Sequence, residues 1–471
     1  MVFFKIAIGS LLKRKRRVIG IGLLVMFGTI LIVFGQEFAL TANKLSKQAI
    51  IDNLTGDFIV YSARSKEKPG PYTFSNPLTN IENVDEVKAV LSGYKEIEAF
   101  TAYSQNISIV NAENKEGTRV ELPLIYSAVE PETYLDFFKN IEMVEGTFFG
   151  RGTGRTEGGI IISEAQNDRY DEQYGVRFEV GDPITLYGIA SGGAVNAVKT
   201  TVQGIFIPLK YENSFNYINF MDVSTYSELY NFTGVAEGSL PDQLTETLLA
   251  ENEDDIFGLA SEENLGIINV DDLESTTLSG FTMIAVHVKE GVDTAAFLES
   301  LAGSAERYGF KTAPWDEASG GLARISGALQ GFIYAATALI FIIVALILMN
   351  TLIINIMERT AEIGTIRAIG AKKSFVTLMF LSETIVLNVI AGIAGIVVSA
   401  ILILIAGRVG IALPGPVSQF LIGGGRLYPV LSFVTVGQAL LIIVVITILA
   451  TLYPLRVATR VTPLKAMSEG K

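Results

Sequence analysis

The sequence predicts an α-helical membrane domain of four transmembrane helices, with a large extracytoplasmic mixed α/β domain inserted between helices 1 and 2. Three observations predict it. The 471-residue chain has a mean hydropathy of +0.42 and yet carries 49 acidic side chains, a mixture expected of a membrane protein with a large soluble part. Four apolar runs, 18–40, 325–356, 376–406 and 429–455, are long enough for a bilayer core about 30 Å thick, which takes roughly 20 helical residues. The charges are sorted between the segments that join these runs. Segments 1–17, 357–375 and 456–471 together hold 14 Lys/Arg against 3 Asp/Glu, whereas 41–324 holds 20 against 44.

Taken in order, residues 1–17 (MVFFKIAIGSLLKRKRR) are a basic segment in which Ile6, Ile8, Leu11 and Leu12 offer apolar surface. The first run resembles a signal peptide in its basic flank. It is longer than an h-region of roughly 7–15 residues, and Leu40 stands where a small residue would precede a cleavage site, so it is read as a retained anchor. The 284 residues of 41–324 are an acidic outer domain, and the basic segments stay in the cytoplasm by the positive-inside rule. Both termini are then cytoplasmic, and 407–428 is an external loop. An acidic surface of this size excludes nucleic acid as a partner. With no cysteine in the chain, disulfide frameworks, thiol nucleophiles and thiolate metal sites are excluded as well.

Inside the insert, short β-prone runs at 57–61, 107–110, 159–163, 183–186, 202–208 and 283–288 alternate with turn signals, and helices are expected at 165–174 and 292–308. Residues 40–56 and 315–330 are polar and helix-compatible, and read as stalks that continue the first two spans. The acidic stretch LLAENEDDIFGLASEEN reads as a solvated insertion.

Enzymatic chemistry finds little support. His287 is the only histidine, in the apolar run TMIAVHV, and reads as a strand residue satisfied by backbone. No metal-ligand spacing accompanies it. Gly150, Gly152 and Gly154 read as turn glycines, and no GxxxxGK[ST] phosphate cradle occurs. Across the spans the polar residues are Glu383, Asn350, Asn388 and Gln438, with Glu37 at the outer edge of the first run. That is not the ionisable corridor of a secondary carrier. Glu383 has two readings, an interfacial glutamate with its stem in lipid, or a residue that couples to its surroundings, with Arg456 as a partner. Gly392 and Gly395 would allow close helix packing.

The charged segment 357–373, MERTAEIGTIRAIGAKK, lies between two spans and cannot enter lipid. Its wording resembles the coupling segment of FtsX-like and MacB-type ABC transporter permeases. The order GGIIIS, helix, GDPITLYG, VQGIFIP in the insert, and the closing YPLRVATRVTPLKAM, resemble the same family, and FKIAIGSLLKRKRR within 1–17 resembles its cytoplasmic amphipathic N-terminal helix. The resemblance implies a non-catalytic permease subunit that binds no cofactor, with ATP and Mg held by a cytoplasmic ABC ATPase dimer. Glu358, Arg359, Glu362, Ile363, Gly364, Arg367, Ala368 and Gly370 would form the ATPase contact. Glu383, Tyr453, Pro454, Arg456 and Pro463 would support it from the membrane and the tail. It also implies a second permease subunit, identical or paralogous, in a bacterial inner membrane, and a periplasmic adaptor, carrier or hydrolase. The leading client is a lipoprotein or other amphiphile. Efflux of peptides, toxins or drugs, and regulation of a periplasmic hydrolase, are the alternatives.

Overall fold

A computed structural model describes residues 15–70, 78–81, 83–149, 158–189, 195–210, 215–230, 233–235, 275–277, 280–358, 360–422 and 424–460. The chain divides into two compact units, one made of 47–324 and the other of the segments before and after it. The leading amphipathic helix, the glycines at 150, 152 and 154 and the acidic stretch near 250 lie outside the described residues.

Helix α1, Lys15–Ile50, is apolar over most of its length and ends in a single π-helical turn, Ile51–Thr55. Gly56 closes that turn at φ +68°, where an added Cβ would lie 2.6 Å from the carbonyl oxygen of Val286. Only glycine lets the backbone pass so close to the sheet.

The inserted unit then runs β1 (Phe58–Ser62), α2 (Val84–Ser92), β2 (Ile97–Glu113), β3 (Arg119–Val129), α3 (Tyr134–Phe137), β4 (Ile141–Gly146), β5 (Gly159–Ser163), α4 (Glu164–Tyr174), β6 (Pro183–Ile189), β7 (Val195–Pro208), β8 (Asn219–Asp222), α5 (Val223–Leu229), β9 (Thr233–Val235), β10 (Ser275–Thr277), β11 (Met283–Val288), α6 (Thr294–Arg307), β12 (Phe310–Pro314) and α7 (Trp315–Ala318). Ten strands form one mixed sheet in the order β12-β1-β11-β2-β3-β8-β5-β7-β4, with β6 bridging β2 and β7. Most pairings are antiparallel, while β3–β8 and β5–β7 are parallel.

Burial explains the pattern. β1 and β5 are buried at every position, as continuous apolar runs in a covered sheet should be. The long β2 alternates beyond Asn106, with Ile107 and Ile109 exposed and Val110 fully buried. One core gathers aromatic rings (Tyr103, Tyr134, Phe137, Phe138, Phe148, Phe206, Phe220) under the middle of the sheet. A second packs Tyr126, Tyr170, Tyr226 and Leu186, and a third seats α2 and α6 on β1 and β11.

The other unit resumes with α8, Gly321–Glu358, and continues through α9 (Thr360–Ala368), α10 (Lys373–Val409), β13 (Ile411–Ala412), α11 (Gly415–Ile422), β14 (Arg426–Leu427) and α12 (Phe433–Arg460). Four helices, over Val18–Thr55, Gly331–Glu358, Lys373–Val409 and Phe433–Pro454, are long and apolar enough to cross a membrane. The residues read as a second stalk are not one continuous helix. α7 stops at Ala318, Gly320 takes φ +56°, and α8 starts afresh.

Glycines set the helix spacing. An added Cβ at Gly395 would sit 2.7 Å from the carbonyl of Met26 on α1, and one at Gly392 would sit 2.5 Å from Ile443 on α12. Polar contacts join the helices as well. The Gln36 amide donates to Gln438 Oε1, and Asn388 Nδ2 donates to Thr447 Oγ1 at 2.9 Å. Glu37, at the outer edge of the first apolar run, lies about three turns before the end of α1. It is 2% exposed and accepts the backbone N–H of Ser432 at 2.8 Å.

Candidate functional site: the segment between α8 and α10

Helix α9 is short and of mixed polarity, so propensity alone would not hold it. An apolar cluster does. Ile363, 1% exposed, packs with Ile356 at the end of α8 and with Val376 and Phe380 in the first turns of α10; Ile366, Met379 and Leu381 close around them. Residues 356, 363 and 366, and 376, 379 and 380, follow helical spacing, so each element turns one apolar stripe to the same point. Gly364 is buried beside Ile363.

The end of α9 is fixed by backbone. Ala371 N–H bonds to the Ile366 carbonyl and Gly370 N–H to the Arg367 carbonyl, the two bonds of a Schellman motif. The motif needs a left-handed residue, and Gly370 supplies it at φ +106°. With no heavy atom within 4 Å of a Cβ built there, this glycine answers a backbone demand and not a packing one. The opposite surface of the segment is open. Glu358, Ala368, Gly370, Lys372 and Lys373 are exposed, and so is Ile369, at 83%.

The expected site residues therefore divide. Ile363 and Gly364 form the inner face; Glu358, Ala368 and Gly370 face outward, and Arg367 is half-buried between. Glu362 and Arg456 lie on α9 and α12, while Arg359 and Pro463 lie outside the described residues. Glu383 is half-buried on α10, next to buried Thr384. Tyr453 is exposed and Pro454 buried, inside a helix that continues to Arg460. A proline there removes one backbone hydrogen bond and crowds the preceding turn.

His287 is corrected. Its partner is not backbone: Nδ1 lies 3.3 Å from Asp57 Oδ2, which also accepts the Val288 N–H, and the ring stacks on Phe137 at 4.1 Å. The contact is one carboxylate and one imidazole, and no group of three ligands suited to a metal occurs among the described residues. Sequence reasoning also missed Gln36, Ser432 and Thr447. Gln36 had a signal, since it sits beside Glu37 in an apolar run; the other two became visible only through their partners.

Two sequence profiles decide the family. The profile of the MacB-like periplasmic core domain matches residues 18–303, more than half of the chain, and that of the FtsX-like permease C-terminal domain matches 334–463. The chain is an ABC transporter permease of the MacB/FtsX family. Among its relatives, the uncharacterized ABC transporter permease YknZ of Bacillus subtilis is 22% identical over 304 residues, 63% of this chain and 69% of that one. The macrolide export ATP-binding/permease protein MacB of Escherichia coli K12 is 31% identical over 154 residues, 30% of this chain. That match spans only 23% of MacB's own length. The crystal structure of the periplasmic region of MacB from Actinobacillus actinomycetemcomitans aligns with 57% of this chain and 94% of its own, at 9% identity and a TM-score of 0.30. In this MacB/FtsX permease the match to the periplasmic core domain precedes the match to the permease C-terminal domain.

Proposed function

We propose that this permease transmits the motion of a separate cytoplasmic ABC ATPase dimer to its inserted α/β unit, working as one of two permease subunits. The basic segments would lie in the cytoplasm and 47–324 outside, in keeping with the charge sorting. The observation that carries the reading is the Ile363 cluster. It ties α8, α9 and α10 together on one side and leaves the other side of α9 open to a partner. A push on Ile369, Glu358 and Ala368 would then move the ends of two membrane helices at once. ATP and Mg would sit in the partner, and this chain would bind neither.

The client proposed is a lipoprotein or another amphiphile. Support comes from the bundle, where two pairs of polar side chains, Gln36 with Gln438 and Asn388 with Thr447, bond to each other. Export of peptides, toxins or drugs is the second reading, favoured by the 31% match to a macrolide export protein.

The test reverses one charge on α9. Glu362→Lys should weaken co-purification of the ATPase or uncouple its hydrolysis, since a reversed charge at a partly desolvated contact costs several kcal/mol. Glu253→Lys, in the acidic stretch of the insert, should leave both unchanged. Equal losses at the two positions would mean that misfolding was measured and would remove the support for a contact at α9.

A further inference from the structure

The segment 407–428, from the last turn of α10 into the connection to α12, holds two arginines, Arg408 and Arg426, and no acidic residue. On the orientation proposed above, which this inference rests on, it faces outward. Arginine is disfavoured in short outer loops by the positive-inside rule, and the insert on the same side has the opposite charge balance, 44 acidic against 20 basic residues. Two guanidinium groups there call for a reason.

The connection is folded. Ile411 and Ala412 pair with Leu427 and Arg426, and Leu427 is fully buried against Ala42 and Ile422. The Ser418 hydroxyl donates to the Gly425 carbonyl. Gly410, at φ +76°, is packed so tightly that an added Cβ would touch the Tyr428 ring at 2.8 Å and Arg426 Cβ at 3.0 Å. This cap holds Arg426 at the C-terminus of α10, where Nη1 donates to the carbonyl of Val409 at 3.0 Å. That bond takes one of five guanidinium N–H groups. Arg408 lies in the last turn of the same helix. Both side chains are exposed, and among the described residues no carboxylate pairs with either. Glu37, the acidic side chain tied to this region, is buried and engaged by Ser432.

The surroundings are apolar and exposed. Tyr428, Val430, Phe433 and Val434 all project into the medium, Phe433 at 96%. An aromatic and aliphatic fringe at the end of membrane helices, with two exposed arginines at the end of the same helix, is the surface of a membrane interface. Guanidinium recognises phosphate through parallel N–H···O bonds. We propose that Arg408 and Arg426 bind the phosphate of a membrane phospholipid, with a preference for an anionic headgroup, while Tyr428 and Phe433 lie along its glycerol and upper acyl region.

The experiment uses the full chain in nanodiscs of equal parts phosphatidylcholine and phosphatidylglycerol, with lipid retained after detergent release counted by native mass spectrometry. The wild type should retain phosphatidylglycerol, and R408Q/R426Q should lose it, by about fivefold for each arginine removed, as expected for a basic residue at an anionic membrane surface. R426K keeps the charge, so retention by R426K together with loss in R408Q separates lost charge from a collapsed cap. Equal retention by the wild type and the double variant overturns the proposal. Displacement of the lipid by inorganic phosphate also overturns it, since the site would then belong to a free anion. Labelling of Val430→Cys by an impermeant reagent from the outer side tests the orientation separately. Labelling from the inner side would refute that reading and leave the lipid count to stand on its own.

Discussion

At the scale of residues, Ile363 carries the segment between α8 and α10, because its side chain is the shared contact of three helices. Ile363→Ala should cost about 2–4 kcal/mol, since a buried cavity opens between elements that cannot all close on it. A lower melting temperature in detergent, together with ATPase activity that no longer responds to the permease, is the expected result; a lower melting temperature with intact coupling would confine Ile363 to packing. A second residue-scale expectation concerns Tyr170. Its hydroxyl donates to the Pro123 carbonyl at 2.6 Å, and burial pushes its phenol up to about 12, against a partial pull downward from the Gln166 hydrogen bond. A raised phenol favours the neutral form in the fold, so its contribution is complete below pH 10 and is lost as pH climbs through 12. Tyr170→Phe should therefore cost about 1 kcal/mol at neutral pH. Unfolding measured along an alkaline series should show that difference shrinking; a constant gap would mean that the phenol does not titrate with the fold.

At the scale of elements, the glycines of the helix bundle separate two effects. Gly395→Ala should part α1 from α10, because the new methyl meets the backbone of Met26, which cannot rotate away. Gly20→Ala has no atom within 4 Å and should be neutral or gain up to about 1 kcal/mol of helix propensity. Thermal unfolding of the two variants side by side checks this, and equal behaviour would argue against a tight α1–α10 contact. These elements also mark what the sequence made legible. The four apolar runs, the strands 159–163 and 283–288 and the helix α4 could be read directly, because each has a continuous apolar run or a clear period. The strands β3, β4, β8 and β12 could not. β3 carries Pro123 and charged residues, and β8 is four residues long, so they exist through their partners in the sheet. The candidate site shows the same division. The charged segment stood out between two spans, but the inward turn of Ile363 depends on Ile356 and Phe380, which lie in different helices. The imidazole–carboxylate contact of His287 spans 230 residues and left no local trace.

At the scale of the whole molecule, the charge sorting and the two-unit division make one expectation about sidedness. With no native cysteine, single cysteines report it cleanly. An impermeant thiol reagent on intact spheroplasts should label Glu299→Cys, exposed on α6, and miss Lys372→Cys, exposed between α9 and α10. The reverse pattern would invert the proposed orientation. A last consequence follows from the edge of the large sheet. The chain enters the insert at β1 and leaves it at β12, and these strands lie side by side, with Phe58 opposite Pro314 and Asp57 bonded to Trp315. Tension drawn through the two chain ends would therefore meet this ladder at its open end and load its rungs one after another, as a zipper is loaded, and not all together in shear. Among the described residues β12 has no neighbour on its far side, so it would peel away first while β1 stayed clamped to β11. The ten-stranded sheet would thus yield at its rim, under a small force, with the rest of its hydrogen bonds still intact.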